Sequence, residues 1–339
     1  MYLTIFFEVI GGLGIFLLGM KNMSEGMQAI AGPTLRKMIN RATTNRFMAV
    51  GMGALVTSIV QSSSITTVMV IGLVNISVMN LTQAFGVIMG ANIGTTITGW
   101  ILVMEIGKYG LPIIGVATGF YLFSKRDRVR YFAMAFIGLG MVFFGLELMK
   151  NGFKPLRTEQ AFIDWFAAFA YDGTYFSVLK CALVGAVLTT IVQSSSATLG
   201  ITIGLASTGI IGFETAAALV LGENIGTTVT AFLASIGGSV NARRASYSHI
   251  LFNVTGVLWI TAVFGAYSGL ITNFIEWQHG ALPGDMVYAT EMIDGVETPV
   301  TEFVDGVEQQ VETFPYVTAA IAATHTGFNI ANVIVFLPL

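Results

Sequence analysis

Hydrophobic positions in this chain fall in long tracts, among them 2–20, 109–124, 131–149 and 317–337. None of these tracts alternates with the period of two that a membrane β-strand requires, so they predict transmembrane helices. Other apolar tracts are interrupted by polar residues, and the interruptions come in matched pairs. Residues 57–101 carry TSIVQSSSITT and then GANIGTTITGW; residues 189–233, shifted by 132 with no gap, carry TTIVQSSSATL and then GENIGTTVTAF. Nineteen of these 45 aligned pairs are identical. The identities gather in Gln-Ser-Ser-Ser and Asn-Ile-Gly-Thr-Thr, whereas a repeat kept for packing alone would match in its Leu and Val. Duplicated polarity inside apolar sequence predicts one site built from two halves.

About 15 residues lie on either side of each Gln-Ser-Ser-Ser before the next interruption, fewer than the roughly 20 a full span needs. The reading is a re-entrant hairpin of two half-helices meeting at the serines. The following tracts, 82–104 and 214–236, are long enough to cross but hold Asn-Ile-Gly-Thr at 92–95 and 224–227. These are expected as breaks in a transmembrane helix, because irregular backbone at membrane depth is tolerated only where protein or a wet cavity surrounds it.

Composition settles the class. With 54% hydrophobic and 10% charged residues and a mean hydropathy of +0.77, the chain lacks the polar surface of a soluble globule of 339 residues. The 39 glycines suit helices that approach closely. Net charge is only −3, but its distribution orients the chain. Lys21, Arg36, Lys37, Arg41 and Arg46 fill a stretch read as a cytoplasmic loop over 21–46; Lys125, Arg126, Arg128 and Arg130 fill a second, and Arg243 and Arg244 mark a third cytoplasmic turn. Residues 276–316 hold nine Asp or Glu and no Lys or Arg, and are expected outside.

Threading these assignments makes the two copies enter the membrane from opposite faces, as in transporters with inverted-topology repeats. Gly12-Leu13-Gly14 with Gly19 ahead of copy one matches Gly138-Leu139-Gly140 with Gly145 ahead of copy two. The expected fold class is an all-α polytopic membrane protein with repeat 1 over 1–130, repeat 2 over 131–275, an acidic extracytoplasmic loop over 276–316 and a final helix over 317–339. The N-terminus is expected outside and the C-terminus in the cytoplasm. The tract 2–20 lacks a basic flank and a small-residue cleavage site, and reads as a retained helix, not a signal peptide.

Each hairpin tip would offer hydroxyls and the first N–H groups of a half-helix, an electropositive end that binds oxyanions without Lys or Arg. Ser62, Ser63, Ser64, Ser194, Ser195 and Ser196 are the candidate anion ligands. Gln61, Gln193, Thr66, Thr198, Asn92, Asn224, Thr95, Thr96, Thr227 and Thr228 supply the neutral oxygens that a hard monovalent cation prefers. Glu223 breaks the symmetry, its counterpart being Ala91, and an intramembrane carboxylate is a candidate cation ligand or proton acceptor. Anion and cation held together would offset each other's burial cost. His249 and His325, each expected near a helix start, suit capping or interhelical hydrogen bonds. Three histidines and the lone Cys181 leave little for a transition-metal site.

Paired QSSS motifs, each followed by GxNIGTT, with Arg244-x-x-x-x-His249-x-x-Phe252-Asn253 near the end of copy two, resemble the type II sodium/phosphate cotransporters and their bacterial relatives. The resemblance extends from about residue 11 to 339. It implies that Gln61 to Ser64, Gln193 to Ser196, Thr95, Thr96, Thr227 and Thr228 bind phosphate and sodium, with sodium as coupling ion and no other cofactor. It also implies a multi-pass protein of a cell membrane, the bacterial inner membrane for such relatives, whose partners are inorganic phosphate, sodium and the bilayer, with no nucleic acid. Bacterial relatives often continue into a PhoU-like helical domain, where this sequence stops at Leu339. The acidic stretch 276–314 has no counterpart in the family pattern, and its alternation of Val with Asp or Glu fits a small hairpin or a solvated loop.

Sodium-coupled phosphate symport is the leading expectation. Another small anion, proton coupling at Glu223, outward transport or a passive channel would use the same polar residues. An intramembrane serine hydrolase is disfavoured, since no Gly-x-Ser-x-Gly elbow occurs and neither serine run has a matched base beside it, so the chain is not expected to be an enzyme.

Overall fold

The structure is a computed structural model that describes residues 2–41, 45–104, 109–293, 296–304 and 307–338. Most of it is helical. Among the described residues six stretches are helical, long and apolar enough to cross a membrane. They lie in α1 (Tyr2–Arg41), α4 with α5 (Leu81–Thr95, Ile97–Val103), α7 (Asp127–Phe153), α9 (Tyr175–Val192), α11 (Phe213–Ser235) and α14 (Pro315–Phe336). A seventh span results if α12 (Val240–Ala262) and α13 (Phe264–His279), bent by 84° around Val263, count as one. Shorter apolar helices are α2 (Arg46–Val60), α3 (Ser63–Asn75), α6 (Gly110–Phe123) and α10 (Ser195–Ser207), with α8 (Gln160–Ala167) after a 3₁₀ turn. The chain is an all-α polytopic membrane protein.

Two expectations about helix boundaries are corrected. The stretch 21–46 is not a loop over most of its length: α1 continues to Arg41, because Met20, Met23, Met27 and Ile30 prolong the helical spacing of apolar residues, and the first two are buried. His249 and His325 sit in the middle of α12 and α14, not near a helix start.

The matched glycine flanks pack against each other. A Cβ at Gly12 would lie 2.8 Å from Gly145 O and one at Gly145 2.6 Å from Gly12 O; Gly19 and Gly138 stand in the same relation. Hence α1 and α7 run antiparallel at backbone contact, held by surfaces only glycine leaves open. Phe16, fully buried between these contacts, reaches across to Gly200 of α10 and joins Leu146, Met149, Leu199 and Ile203 in the main apolar core.

The Asn-Ile-Gly-Thr-Thr segments do not break their helices as expected. In copy two α11 runs uninterrupted through 224–228, and in copy one the disturbance is a single turn at Thr96, where Thr96 N bonds Ile93 O at 3.0 Å and Gly99 N bonds Thr96 O at 3.0 Å. The polar side chains satisfy themselves on the helix instead. Thr95, Thr96, Thr227 and Thr228 donate to the carbonyls of Ala91, Ile93, Glu223 and Ile225, at 2.7–3.0 Å. The segment's glycines serve packing: a Cβ at Gly94 would lie 2.4 Å from Ala54 O on α2, and one at Gly226 2.5 Å from Ala186 O on α9.

The acidic stretch forms three antiparallel strand pairs: β1 (Val287–Tyr288) with β6 (Glu312–Thr313), β2 (Thr290–Ile293) with β3 (Val296–Pro299), and β4 (Thr301–Val304) with β5 (Val307–Gln310). At its centre Ala289, Val300 and Val311, spaced eleven residues apart, close a ring of backbone bonds: Ala289 N to Val311 O at 2.7 Å, Val311 N to Val300 O at 2.9 Å and Val300 N to Ala289 O at 2.8 Å. Arg157 ties this element to the helices, pairing with Glu312 at 2.6 Å and lying 5.2 Å over the Phe314 ring.

Candidate ion-binding site between the two helix breaks

Each Gln-Ser-Ser-Ser does interrupt its helices, and with the same backbone in both copies. Gln61 closes α2 in the left-handed region (φ 57°, ψ 27°), its N–H bonding Thr57 O; Gln193 closes α9 likewise (φ 60°, ψ 22°), bonding Thr189 O. The next residue is extended and begins a new helix. Ser62 (φ −151°) and Ser194 (φ −149°) accept from Ile65 N and Ala197 N, each at 3.3 Å, while Thr66 and Thr198 hydroxyls donate back to the Ser62 and Ser194 carbonyls at 3.2 and 3.1 Å. A left-handed glutamine costs on the order of 1–3 kcal/mol, and strain of this kind gathers at functional sites. Here it is present twice, at equivalent positions.

The breaks meet across the copies. Thr98 Oγ1, on α5 of copy one, donates to Gln61 Oε1 at 2.9 Å and accepts from Ser196 of copy two at 3.4 Å. Thr230 Oγ1, the residue 132 positions on, lies 3.1 Å from Ser64 Oγ and also donates to Thr227 O at 2.9 Å. Gln61 and Ser196 thus meet through Thr98, and Ser64 meets Thr230; Ser63 and Ser195 are buried, and Ser62 and Ser194 are half-buried caps. The two tips differ in access: Gln61 is buried, with its amide on the Ser58 carbonyl, whereas Gln193 is exposed. No Lys or Arg takes part in these contacts. The N-termini of α3 and α10 lie at the tips, and helix N-termini carry partial positive charge.

The remaining candidates divide. Threonines 95, 96, 227 and 228 commit their protons to helix carbonyls, so the lone pairs of their hydroxyls are what they can present; such oxygens suit a cation and not an anion. Asn224 donates to Val220 O at 3.1 Å. Asn92 is drawn to α12, donating to Asn253 Oδ1 at 2.7 Å with its own oxygen 3.4 Å from His249 Nε2. His249 therefore makes the interhelical hydrogen bond expected of it.

Glu223 is completely buried. Its Oε1 accepts from Thr202 on α10 at 2.9 Å, and its Oε2 has no partner among the described residues. Thr202 lies eight residues beyond Ser194, about 12 Å along the helix axis. An acid in this position either holds a proton or is balanced by a bound cation, the two roles open to an intramembrane carboxyl group.

Three residues here escaped the sequence reading: Thr98, Thr230 and Thr202. The first two are the last threonine of each matched GTTxT, identical in both copies. The signal for Thr202 is a paired substitution, since its counterpart is Val70 just as that of Glu223 is Ala91; the bonded pair of copy two is an apolar pair in copy one.

The Na+/Pi-cotransporter family profile matches residues 15–151 and 172–279, so the β element and α14 lie beyond the matched region. The uncharacterized protein YqeW of Bacillus subtilis is 31% identical over 258 residues, 76% of this chain and 81% of its own length. YjbB of Escherichia coli, named as a candidate inorganic phosphate export protein, is 29% identical over 253 residues, 75% of this chain but 46% of YjbB. Human sodium-dependent phosphate transport protein 2B is 43% identical over 109 residues, 31% of this chain and 14% of that protein. No solved structure is significantly similar to the chain. The match across both copies, together with the duplicated serine breaks on which it falls, establishes that the chain belongs to the Na+/Pi-cotransporter family.

Proposed function

We propose that the chain is a sodium-coupled carrier of inorganic phosphate that works by alternating access. The observation that carries this reading is the pair of crossed contacts, Ser64 with Thr230 and Ser196 with Thr98, which make each serine break depend on the other copy. In this reading the tips of α3 and α10 hold the phosphate through serine hydroxyls and first-turn N–H groups. Their N-terminal dipoles favour the anion, as in other half-helix sites of transporters. Sodium takes neutral oxygens of Gln61, Gln193 and the threonines near the tips, while Glu223, beside Thr202 and about 12 Å along α10 from Ser194, is the charged ligand of a separate sodium position. The antiparallel packing of the equivalent helices α1 and α7 supports inverted repeats, each with a re-entrant serine hairpin, and rocking of one repeat against the other would exchange which tip faces water. Gln61 buried and Gln193 exposed fits one side of such a cycle.

With sodium coupling and an inward sodium gradient the carrier runs as an uptake system. A second reading, outward transport, is favoured by the likeness to YjbB along most of this chain. The deciding experiment is flux of radiolabelled phosphate in proteoliposomes, with a sodium gradient compared against potassium at equal ionic strength, loading phosphate outside or inside. Flux that requires sodium and follows its gradient in either direction is the expected result. Phosphate flux indifferent to sodium would overturn the coupling, and active vesicles that move no phosphate would overturn the substrate.

A further inference from the structure

The hairpin of α6 and α7 carries a feature that the transport site does not use. Only Gly110 and Ala117 of α6 are buried, and its two helices are pinned at one end, where a Cβ at Gly140 would lie 2.7 Å from Gly110 O. From beside that contact toward the turn they leave a groove of about 480 Å³, lined by Pro112, Val116 and Phe120 on α6 and by Val129, Phe132 and Phe136 on α7, with almost no polar surface. The groove continues into a second hollow at the turn between the helices, where Ser124 and Arg126 join the lining. That turn holds Lys125, Arg126, Arg128 and Arg130, all exposed, against the single Asp127. It is held in shape by Arg126 N bonding Ser124 Oγ at 3.2 Å and by the Arg130 guanidinium 5.3 Å over the Tyr121 ring.

We infer that this groove is a binding site for one anionic glycerophospholipid, an acyl chain lying between α6 and α7 and the headgroup phosphate held by Arg126 and its basic neighbours. Charge and shape agree on the occupant. An apolar slot in a bilayer-facing surface takes a hydrocarbon chain, and the cationic turn where the slot ends selects a net negative headgroup over a zwitterionic one. A second copy fits poorly, because a two-fold contact on this face would bring two such turns together.

The test is native mass spectrometry of the full chain in detergent, titrated with phosphatidylglycerol and phosphatidylcholine of identical acyl chains. Phosphatidylglycerol should be retained the more tightly, with Arg126→Gln and Arg128→Gln each costing about five-fold in its retention and leaving phosphatidylcholine unaffected. Val116→Trp, which fills the groove, should weaken both lipids. Raising salt on the unaltered chain should weaken phosphatidylglycerol alone, a reading that needs no variant to fold. Equal retention of the two lipids, insensitivity of the preference to salt, or a dimer that excludes lipid would each overturn the assignment.

Discussion

Thr230 Oγ1 lies 3.1 Å from Ser64 Oγ, joining the end of copy two to the serine break of copy one. Shifted by 132 the same two residues are Thr98 and Ser196, and these also meet, at 3.4 Å, with the copies exchanged. Such reciprocity is what a two-fold relation between halves produces. Each serine break is thus tied to a threonine of the other copy, so neither break could shift without changing a hydrogen bond made by the other copy.

This relation predicts that Thr98→Val impairs transport more than Thr230→Val. Valine keeps the shape and removes the hydroxyl. At Thr98, which is buried, the loss leaves Gln61 Oε1 and Ser196 without a partner, worth about 1–3 kcal/mol, or roughly ten-fold in apparent phosphate affinity. Thr230 is half-buried and should cost only a few-fold. Serine at either position should restore flux, and a silent Thr98→Val would reduce the contact to packing.

Glu223→Gln tests the cation site. Glutamine retains the acceptor for Thr202 but carries no charge, so the half-saturating sodium concentration should rise by about ten-fold or more, while flux at saturating sodium falls less. Thr202→Val should move sodium dependence in the same direction by a smaller factor. A sodium titration of phosphate flux that is identical in Glu223→Gln and the unaltered chain would place Glu223 among residues that only pack.

Much of this was legible in the sequence, and the misses share a cause. The repeat at 57–101 and 189–233, the helical class and the breaks at Gln61-Ser62 and Gln193-Ser194 follow from hydropathy and spacing. Helix continuity through Asn224–Thr228 did not, because a run of Gly, Asn and Thr reads as unwound until one sees hydroxyls bonded to carbonyls a turn back and glycines pressed on a neighbouring backbone. Long-range partners were equally hidden: nothing local in Thr98 points to Ser196. The eleven-residue spacing of Ala289, Val300 and Val311 is present in the sequence as TEMIDGVETPV followed by TEFVDGVEQQV, a repeat that the expectation of a small hairpin or a solvated loop does not use.

Gly222→Ala should destabilise the fold far more than its chemistry suggests. A Cβ there would stand 1.7 Å from Ala182 O on α9, and the matched Gly90 would meet Val50 O on α2 at 1.9 Å, so α11 and α4 would have to move off their neighbours. Overpacking of this kind costs about 1–3 kcal/mol or more. Gly115→Ala, with open space around its Cβ and a gain in helix propensity, is the control. In detergent the apparent Tm of Gly222→Ala should fall by several degrees, and that of Gly115→Ala should hold or rise; equal behaviour of the two would mean that the α9–α11 contact is not close.

Asp172 sets the start of the helix that ends at the second serine break. Its Oδ1 accepts from the Thr174 hydroxyl at 2.6 Å and from Thr174 N at 2.9 Å, and Thr174 in turn caps α9 by accepting from Ser177 N. The hydrogen bond from the Thr174 hydroxyl, with a further contribution from Ser177, holds the Asp172 carboxyl down from 3.8 to about 2. Because the folded group is the stronger acid, its support of the cap is complete above the ordinary aspartate range and is lost as pH falls toward about 2. Amide exchange at Ser177 should therefore be slower than in Asp172→Asn at neutral pH, and the two chains should converge only at the acid end of that window. Convergence already above the ordinary aspartate range would show that the carboxylate does not hold the cap, leaving Thr174 to start α9 unaided.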